Sequence, residues 1–208
     1  MKIGIIGSGN IGGTLARLWA GAGHQVMVSN SRGPESLRDF VAEIGAEAGT
    51  ADDAARFGEV VLLATPWRSP EALPSPDAVA GKIVIDAMNP YGADGGIQDL
   101  GDSSSSEETA KRLPGVKIVK AFNTIWVRHL EANGRPDTPA DDRHAVFVAG
   151  DDAAAKAVVF RLIEDIGFGP VDTGSLRDGK RQEPNTSLYN QVITAGEGKK
   201  RARGPAME

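Results

Sequence analysis

Ile3-Gly4-Ile5-Ile6-Gly7-Ser8-Gly9-Asn10-Ile11-Gly12 is the stretch that decides the fold. Its first part is a short apolar run with β-branched residues, the pattern of a strand buried on both faces of a parallel sheet. Its second part matches G-x-G-x-x-G, and Ile11, Leu15, Leu18 and Trp19 then share one helical face. A glycine motif between a buried strand and an amphipathic helix reads as a dinucleotide-binding turn. Gly7 permits the tight turn, Gly9 lets a pyrophosphate approach the backbone, and Gly12 lets the helix pack close to the sheet. Ser8, Asn10 and Ile11 complete the turn, where the helix N-terminus offers free N–H groups and a partial positive charge.

Outward from this unit the same style repeats. Gly21 and Gly23 end the first helix, and Val26 to Val28 is a second strand. Pro34 opens a helix with Leu37, Phe40, Val41 and Ile44 on one side. Strands are expected over 60–64, 82–87, 116–122, 144–149 and 169–172. Ser104 and Ser105 stand three residues before Glu107 and Glu108, a capping-box spacing that predicts a helix to Arg112. A further helix is expected over 153–166, capped by Asp151-Asp152. Successive β-α units predict an α/β fold: a Rossmann-type doubly wound, mostly parallel sheet with a small C-terminal extension. One domain is expected over 1–208, with a dinucleotide-binding core at 1–125 and an extension at 126–208 that completes a second-substrate site. The stretch from Tyr91 to Ser106 is loop-rich and reads as a surface loop or a mobile active-site loop.

Bulk properties exclude several classes. The 208 residues are 40% hydrophobic and 25% charged, a globular balance. The net charge of -5 argues against a nucleic-acid or anionic-membrane partner. The absence of cysteine excludes disulfides, thiolate metal sites and a cysteine nucleophile, and fits a cytoplasmic protein. No apolar run approaches the roughly 20 residues that span a bilayer. The apolar start, broken at once by glycines, reads as a strand and not a secretory signal. No His, Asp or Glu cluster has metal-ligand spacing, so no metal is expected.

The second strand sets the cofactor. A site for NAD usually carries Asp or Glu there for the ribose hydroxyls. Here the strand end reads Ser29-Asn30-Ser31-Arg32, with no acid. Arg32 suits a 2′-phosphate, and the Asn and Ser side chains can hydrogen-bond it, so NADP(H) is expected over NAD(H). Three later strand ends read Thr65-Pro66-Trp67, Asn89-Pro90-Tyr91 and Asn123-Thr124-Ile125-Trp126. Thr65, Asn89 and Asn123 offer small polar groups for a ribose or carboxamide; Pro66 shapes its turn. Trp67, Tyr91 and Trp126 could wall a flat cofactor or serve as ordinary packing.

Taken in order, Gly-Ser-Gly-Asn-Ile-Gly, Ser-Asn-Ser-Arg, Ala64-Thr65-Pro66-Trp67, Asp86-Ala87-Met88-Asn89-Pro90 and Lys120-Ala121-Phe122-Asn123-Thr124 resemble the NADPH-dependent reductases of the deazaflavin coenzyme F420. The cytosolic NADPH domain of six-transmembrane metalloreductases is similar. The resemblance runs on through Gly150-Asp151-Asp152, Asp172-Thr173-Gly174 and Leu188-Tyr189-Asn190. It implies NADP(H) contacts at Ser8, Gly9, Asn10, Ile11, Ser31 and Arg32, with Thr65, Pro66 and Asn89 beside the nucleotide. It further implies a deazaflavin against the nicotinamide, near the end of the Asn123 strand, and a homodimer. Asn123 departs from the histidine that archaeal members carry. The glycine-rich stretch from Thr194, ending Lys199-Lys200-Arg201-Ala202-Arg203, departs from the final helix expected there and reads as a solvated terminus.

Hydride transfer between two rings needs orientation more than acid–base chemistry. That suits a chain in which no catalytic residue stands out. His24 is expected to be exposed, and His129 and His144 structural or solvated. Lys120 and Asn123, three apart on a strand, should point to opposite faces. The expected activity is hydride transfer between NADP(H) and F420 or a related flavin-like small molecule. Alternatives are a non-catalytic NADPH-binding or sensing module, and a small-carbonyl or imine reductase with His129 or Tyr91 as proton donor.

Overall fold

The computed structural model describes residues 1–204. Eight strands form one sheet: β1 (Lys2–Ile6), β2 (Gln25–Ser29), β3 (Glu47–Ala48), β4 (Val60–Leu63), β5 (Ile83–Asp86), β6 (Lys117–Ala121), β7 (Ala145–Gly150) and β8 (Gly169–Gly174). The strand order is β3-β2-β1-β4-β5-β6-β7-β8, parallel throughout except for the antiparallel β6–β7 pair. The sheet runs without a break from the core into the extension, whose positions 205–208 lie outside the described residues. The helices are α1 (Asn10–Gly21), α2 (Arg38–Ile44), α3 (Ala51–Phe57), α4 (Pro76–Val79), α5 (Ser105–Arg112), α6 (Val127–Ala132), α7 (Ala153–Asp165) and α8 (Ala195–Arg203). None is long and apolar enough to cross a membrane among the described residues.

Continuous apolar strands follow from burial on both faces. In β4, Val60 and Leu62 join the cluster of Ile3, Ile5, Leu15 and Trp19, while Val61 and Leu63 join Ile6, Val79 and Val84 on the opposite face. The indole of Trp19 on α1 donates to Leu162 O at 2.9 Å, tying the first helix to α7 across the first of these layers. Helix starts follow their caps. Ser104 and Glu107 exchange side-chain-to-backbone hydrogen bonds at the head of α5. Asp152 accepts from Ala155 N at 2.8 Å at the head of α7.

The structure adds or changes several elements. The short strand β3 and helix α3 were not foreseen, although Thr50 and Asp53 form a full capping box that the spacing T-x-x-D carries. The glycine-rich end does form a helix: Thr194 caps α8, and Gly198 lets it lie close on β7 and β8, its missing Cβ within 3.4 Å of Val171, Ala145 and Phe147. The stretch 91–103 is a braced surface loop, with Tyr91 and Ile97 bridged and Gln98 N donating to Pro90 O at 2.8 Å. His24 is half-buried, its Nε2 3.2 Å from Asp165 Oδ2 in ion-pair reach but off the line of a hydrogen bond.

Candidate functional site

The strand order reverses direction between β1 and β4, the topological switch point where open α/β sheets hold ligands beyond the strands' carboxyl ends. A cavity of 790 Å³ opens there, lined by Gly7, Ser8, Gly9, Ser29, Asn30, Ser31, Arg32, Thr65 and Pro66, with Ile6, Ala51, Ala64, Ser69, Glu71 and Ala72 completing the wall. Nine of the sequence-read positions therefore meet in one place. The second loop past β4, Ser69 to Ala72, was not singled out by its residue types; only the proline that starts its one 3₁₀ turn marks it.

The three glycines do different work. Gly7 has φ 106°, and a Cβ there would meet Ala64 O at 2.5 Å. Gly12 lies behind the turn, where a Cβ would stand 1.9 Å from Gly7 O. Gly9 meets nothing within 4 Å. The space above Gly9 is open protein surface in the cavity wall, so packing gives no reason for a glycine there. A ligand that must approach the backbone does, and by that test the turn fits a dinucleotide pyrophosphate. Asn10, Ile11 and Gly12 sit in the first turn of α1 and not in the cavity wall.

The loop after β2 is built by Asn30. Its Oδ1 accepts from Arg32 N at 2.9 Å, an Asx turn, and its Nδ2 donates to Ser36 Oγ at 2.9 Å and reaches Ser8 Oγ at 3.4 Å. Asn30 thus couples this loop to the glycine turn. Ser29 is buried, with its hydroxyl donating to Ile5 O at 3.3 Å, so it lines the site as part of the wall. Ser31 and Arg32 are exposed, and Arg32 has no carboxylate partner among the described residues. A guanidinium left open beside a glycine cradle fits a 2′-phosphate.

Trp67 departs from its expected role. It is buried among Leu63, Val84 and Leu113, with Arg112 stacked 4.6 Å from its ring centre, and it does not reach the cavity. A turn that Ser69 N closes by donating to Pro66 O at 2.9 Å carries this side chain, which packs into the core. Asn89 and Asn123 also stand outside the cavity, at the ends of β5 and β6, and hold each other. Asn123 Nδ2 donates to Asn89 Oδ1 at 3.0 Å and to Gln182 O at 2.8 Å; Asn89 Nδ2 donates to Asn123 O at 2.9 Å. Phe122, just before Asn123, has φ 66°, a left-handed conformation costly for a bulky residue. This turn breaks strand alternation, so Lys120 and Asn123 do not part to opposite faces: both meet the segment 182–183.

Lys120 centres a buried polar cluster. It is fully buried, and its Nζ donates to Ser105 Oγ at 2.8 Å, Ser106 Oγ at 3.2 Å and Met88 O at 3.4 Å, with Glu183 Oε1 at 3.9 Å. Asp86, also fully buried, accepts from Ser106 Oγ at 2.8 Å and Met88 N at 2.9 Å. Burial holds the Lys120 ammonium below its ordinary pKa, against the pull of Asp86 and Glu183. No group of three or more potential metal ligands occurs among the described residues.

Comparison with known proteins agrees with this geometry. The family model described as "NADP oxidoreductase coenzyme F420-dependent" matches residues 2–90, which hold the glycine turn, the Arg32 loop and the ends of β4 and β5. Metalloreductase STEAP3 of Rattus norvegicus is 32% identical over 183 residues, 88% of this chain; the chain spans 36% of that relative's length. A hypothetical protein, SMa0349, from Sinorhizobium meliloti has a solved structure with TM-score 0.79 and 33% identity, covering 93% of this chain and 95% of its own. A "putative f420 dependent nadp-reductase" from Arthrobacter sp. fb24 superposes with TM-score 0.73 at 29% identity, covering 86% and 87% of the two chains.

Proposed function

We propose that the chain is an NADP-dependent oxidoreductase of the coenzyme F420-dependent family whose model residues 2–90 match, and that its hydride partner is the deazaflavin F420 or a related flavin-like ring. The observation that carries the reading is the pairing of an open cradle at Gly9 with an acid-free loop ending in Arg32. In this reading the Gly7–Gly9 turn and the head of α1 hold the pyrophosphate. Ser31 and Arg32 hold the 2′-phosphate, and Thr65 and Pro66 flank the ribose. Asn123 Oδ1, which no described residue hydrogen-bonds, takes a carboxamide N–H next to Asn89. NADPH bound there supplies a hydride.

The chain's own residues then orient and shield. The Asn89–Asn123 pair fixes the ends of β5 and β6 relative to each other, and the segment 182–190 closes over them from the extension. Productive alignment of two stacked rings is worth many kcal/mol without any acid or base. A homodimer belongs to the same proposal. The test mixes protein with NADP+ and reduced F420 and follows the return of the oxidised deazaflavin band, and in the other direction mixes NADPH with F420, FMN, FAD or riboflavin. Turnover with one of them is expected. Tight NADPH binding with no turnover of any, or NADPH oxidation by a cyclic imine alone, overturns the reading.

A further inference from the structure

The chain has two tyrosines, and the fold brings them together. Tyr91 and Tyr189 are 98 residues apart in sequence, and their hydroxyls stand 3.2 Å apart. Both rings are half-buried, and neither belongs to a hydrophobic cluster of the core. Tyr91 follows Asn89 by two residues. Tyr189 precedes Asn190, whose N–H donates to Thr124 O at 3.0 Å, one residue past Asn123. The phenol pair therefore links the β5 turn to the extension, from segments that adjoin the Asn89–Asn123 amides. The backbone that places it is held in left-handed conformations at Phe122 (φ 66°) and Asn190 (φ 53°), a concentration of strain typical of functional segments. Two phenols sharing one hydrogen bond keep a second O–H for another partner. No carbonyl or carboxylate among the described residues takes it in a hydrogen bond.

We propose that the Tyr91–Tyr189 pair donates this remaining O–H to the hydride acceptor and stabilises the negative charge that develops there. The proposal rests on the reading of the chain as a hydride-transfer enzyme and names the groups that meet its second substrate. The acceptor gains a hydride at carbon in a deazaflavin or a carbonyl, and at the ring nitrogen in a flavin: a C–H or N–H bond forms there as the nicotinamide C4–H bond breaks. The displaced electron pair gathers on the acceptor's conjugated nitrogen or carbonyl oxygen, which accepts the phenol hydrogen bond. A proton from water completes the reduced product. The acceptor class is thus a conjugated C=N–C=O ring system, as in a flavin or deazaflavin, or a simple carbonyl. Burial, then Tyr91, push the ionisation of Tyr189 well above the ordinary phenol range, against the Asn190 amide, so this hydroxyl stays a neutral donor at working pH. A fixed donor in a partly desolvated site acts as an oxyanion hole does.

The two tyrosines give two resonances when labelled with 13C at Cζ, assigned with Tyr91→Phe and Tyr189→Phe. NADP+ and NADPH differ by one ring charge. If the phenols face the nicotinamide, NADP+ moves at least one resonance further than NADPH does; equal or absent shifts overturn the proposal. With an acceptor that turns over, either Phe variant lowers kcat by roughly 10- to 100-fold, and the Kd for NADPH stays within twofold. Unchanged kcat in both variants also overturns it. Failure of every acceptor to oxidise NADPH counts against the assigned activity, and the resonance comparison still decides where the phenols point.

Discussion

Gly9 and Gly12 share one motif and respond to a side chain in opposite ways. A Cβ at Gly12 would overlap Gly7 O at 1.9 Å, and one at Gly9 would enter open space. Gly12→Ala should therefore cost about 1–3 kcal/mol of folding stability, the scale of overpacking. Gly9→Val should leave the unfolding midpoint unchanged while weakening NADPH and NADH alike by at least roughly tenfold, because it fills the cradle and not the core. Thermal unfolding and a fluorescence titration of each variant check the pair; a Gly9→Val protein that binds both cofactors normally would show that no phosphate approaches there. Arg32 separates the two cofactors instead. Arg32→Ala should weaken NADPH by about 1.5–3 kcal/mol, roughly 10- to 150-fold, and leave NADH within twofold. Equal losses for both would place the 2′-phosphate elsewhere. These residues were legible because spacing alone states their roles: a turn glycine, an acid-free strand end, a strand-terminal proline. Trp67 was not, because whether an aromatic at a strand end faces ligand or core depends on one backbone turn that sequence does not print.

At the scale of elements, the Lys120 cluster joins β5, β6, α5 and the segment after β8. Lys120 touches the backbone at Met88, the hydroxyls at the head of α5 and the carboxylate of Glu183, so one side chain registers four pieces of chain. Lys120→Met leaves Asp86 and Glu183 buried without their cation, and should cost about 3–5 kcal/mol. Lys120→Arg should not restore the loss. Gly179 already packs so closely that a Cβ there would be 2.9 Å from Lys120 Cδ, and a guanidinium has no room. Urea unfolding of both variants measures this, and a Lys120→Met protein as stable as its parent would show that the cluster only decorates the core. No periodicity announces such a cluster, since its members come from four separate elements and each alone looks like an ordinary surface residue. The caps at Ser104, Asp152 and Thr50 are the opposite case: each is a signal contained within four residues, and α3 was missed although its signal was present.

For the whole molecule, the Rossmann half could be read from sequence because each of its units states strand, turn and helix locally. The extension could not, since α8 depends on tertiary packing: its glycines weaken an isolated helix, and the face that Gly198 opens exists only once β7 and β8 are formed. The seams that close the fold carry histidines. His24 lies between the chain start and Asp165 at the end of α7. His144 stacks on His129 at 5.8 Å, accepts or shares a hydrogen bond with Asn133 Nδ2 at 3.1 Å, and bridges to Thr194 at the head of α8. Burial holds both below the ordinary value of 6.5, aided by the N-terminal amine at His24 and by His129 at His144, while Asp165 pulls His24 the other way. A histidine whose folded pKa is depressed binds protons more readily when unfolded. Its stability is present above 6.5 and is lost as pH falls through the folded value. The carboxylates at Asp52, Asp53, Asp152 and Asp178 are also held low, as are Glu43 and Glu108, but theirs is lost only below the ordinary 3.8 and 4.5. The low-held ammonium groups of Lys82 and Lys120 are common to parent and variant, so the part of the fall between pH 8 and 5 that a histidine variant removes belongs to that histidine. The urea midpoint should fall across that window, and His144→Asn should flatten the fall. An identical pH dependence in parent and variant would show that the α6–β7–α8 seam closes without regard to the charge on His144.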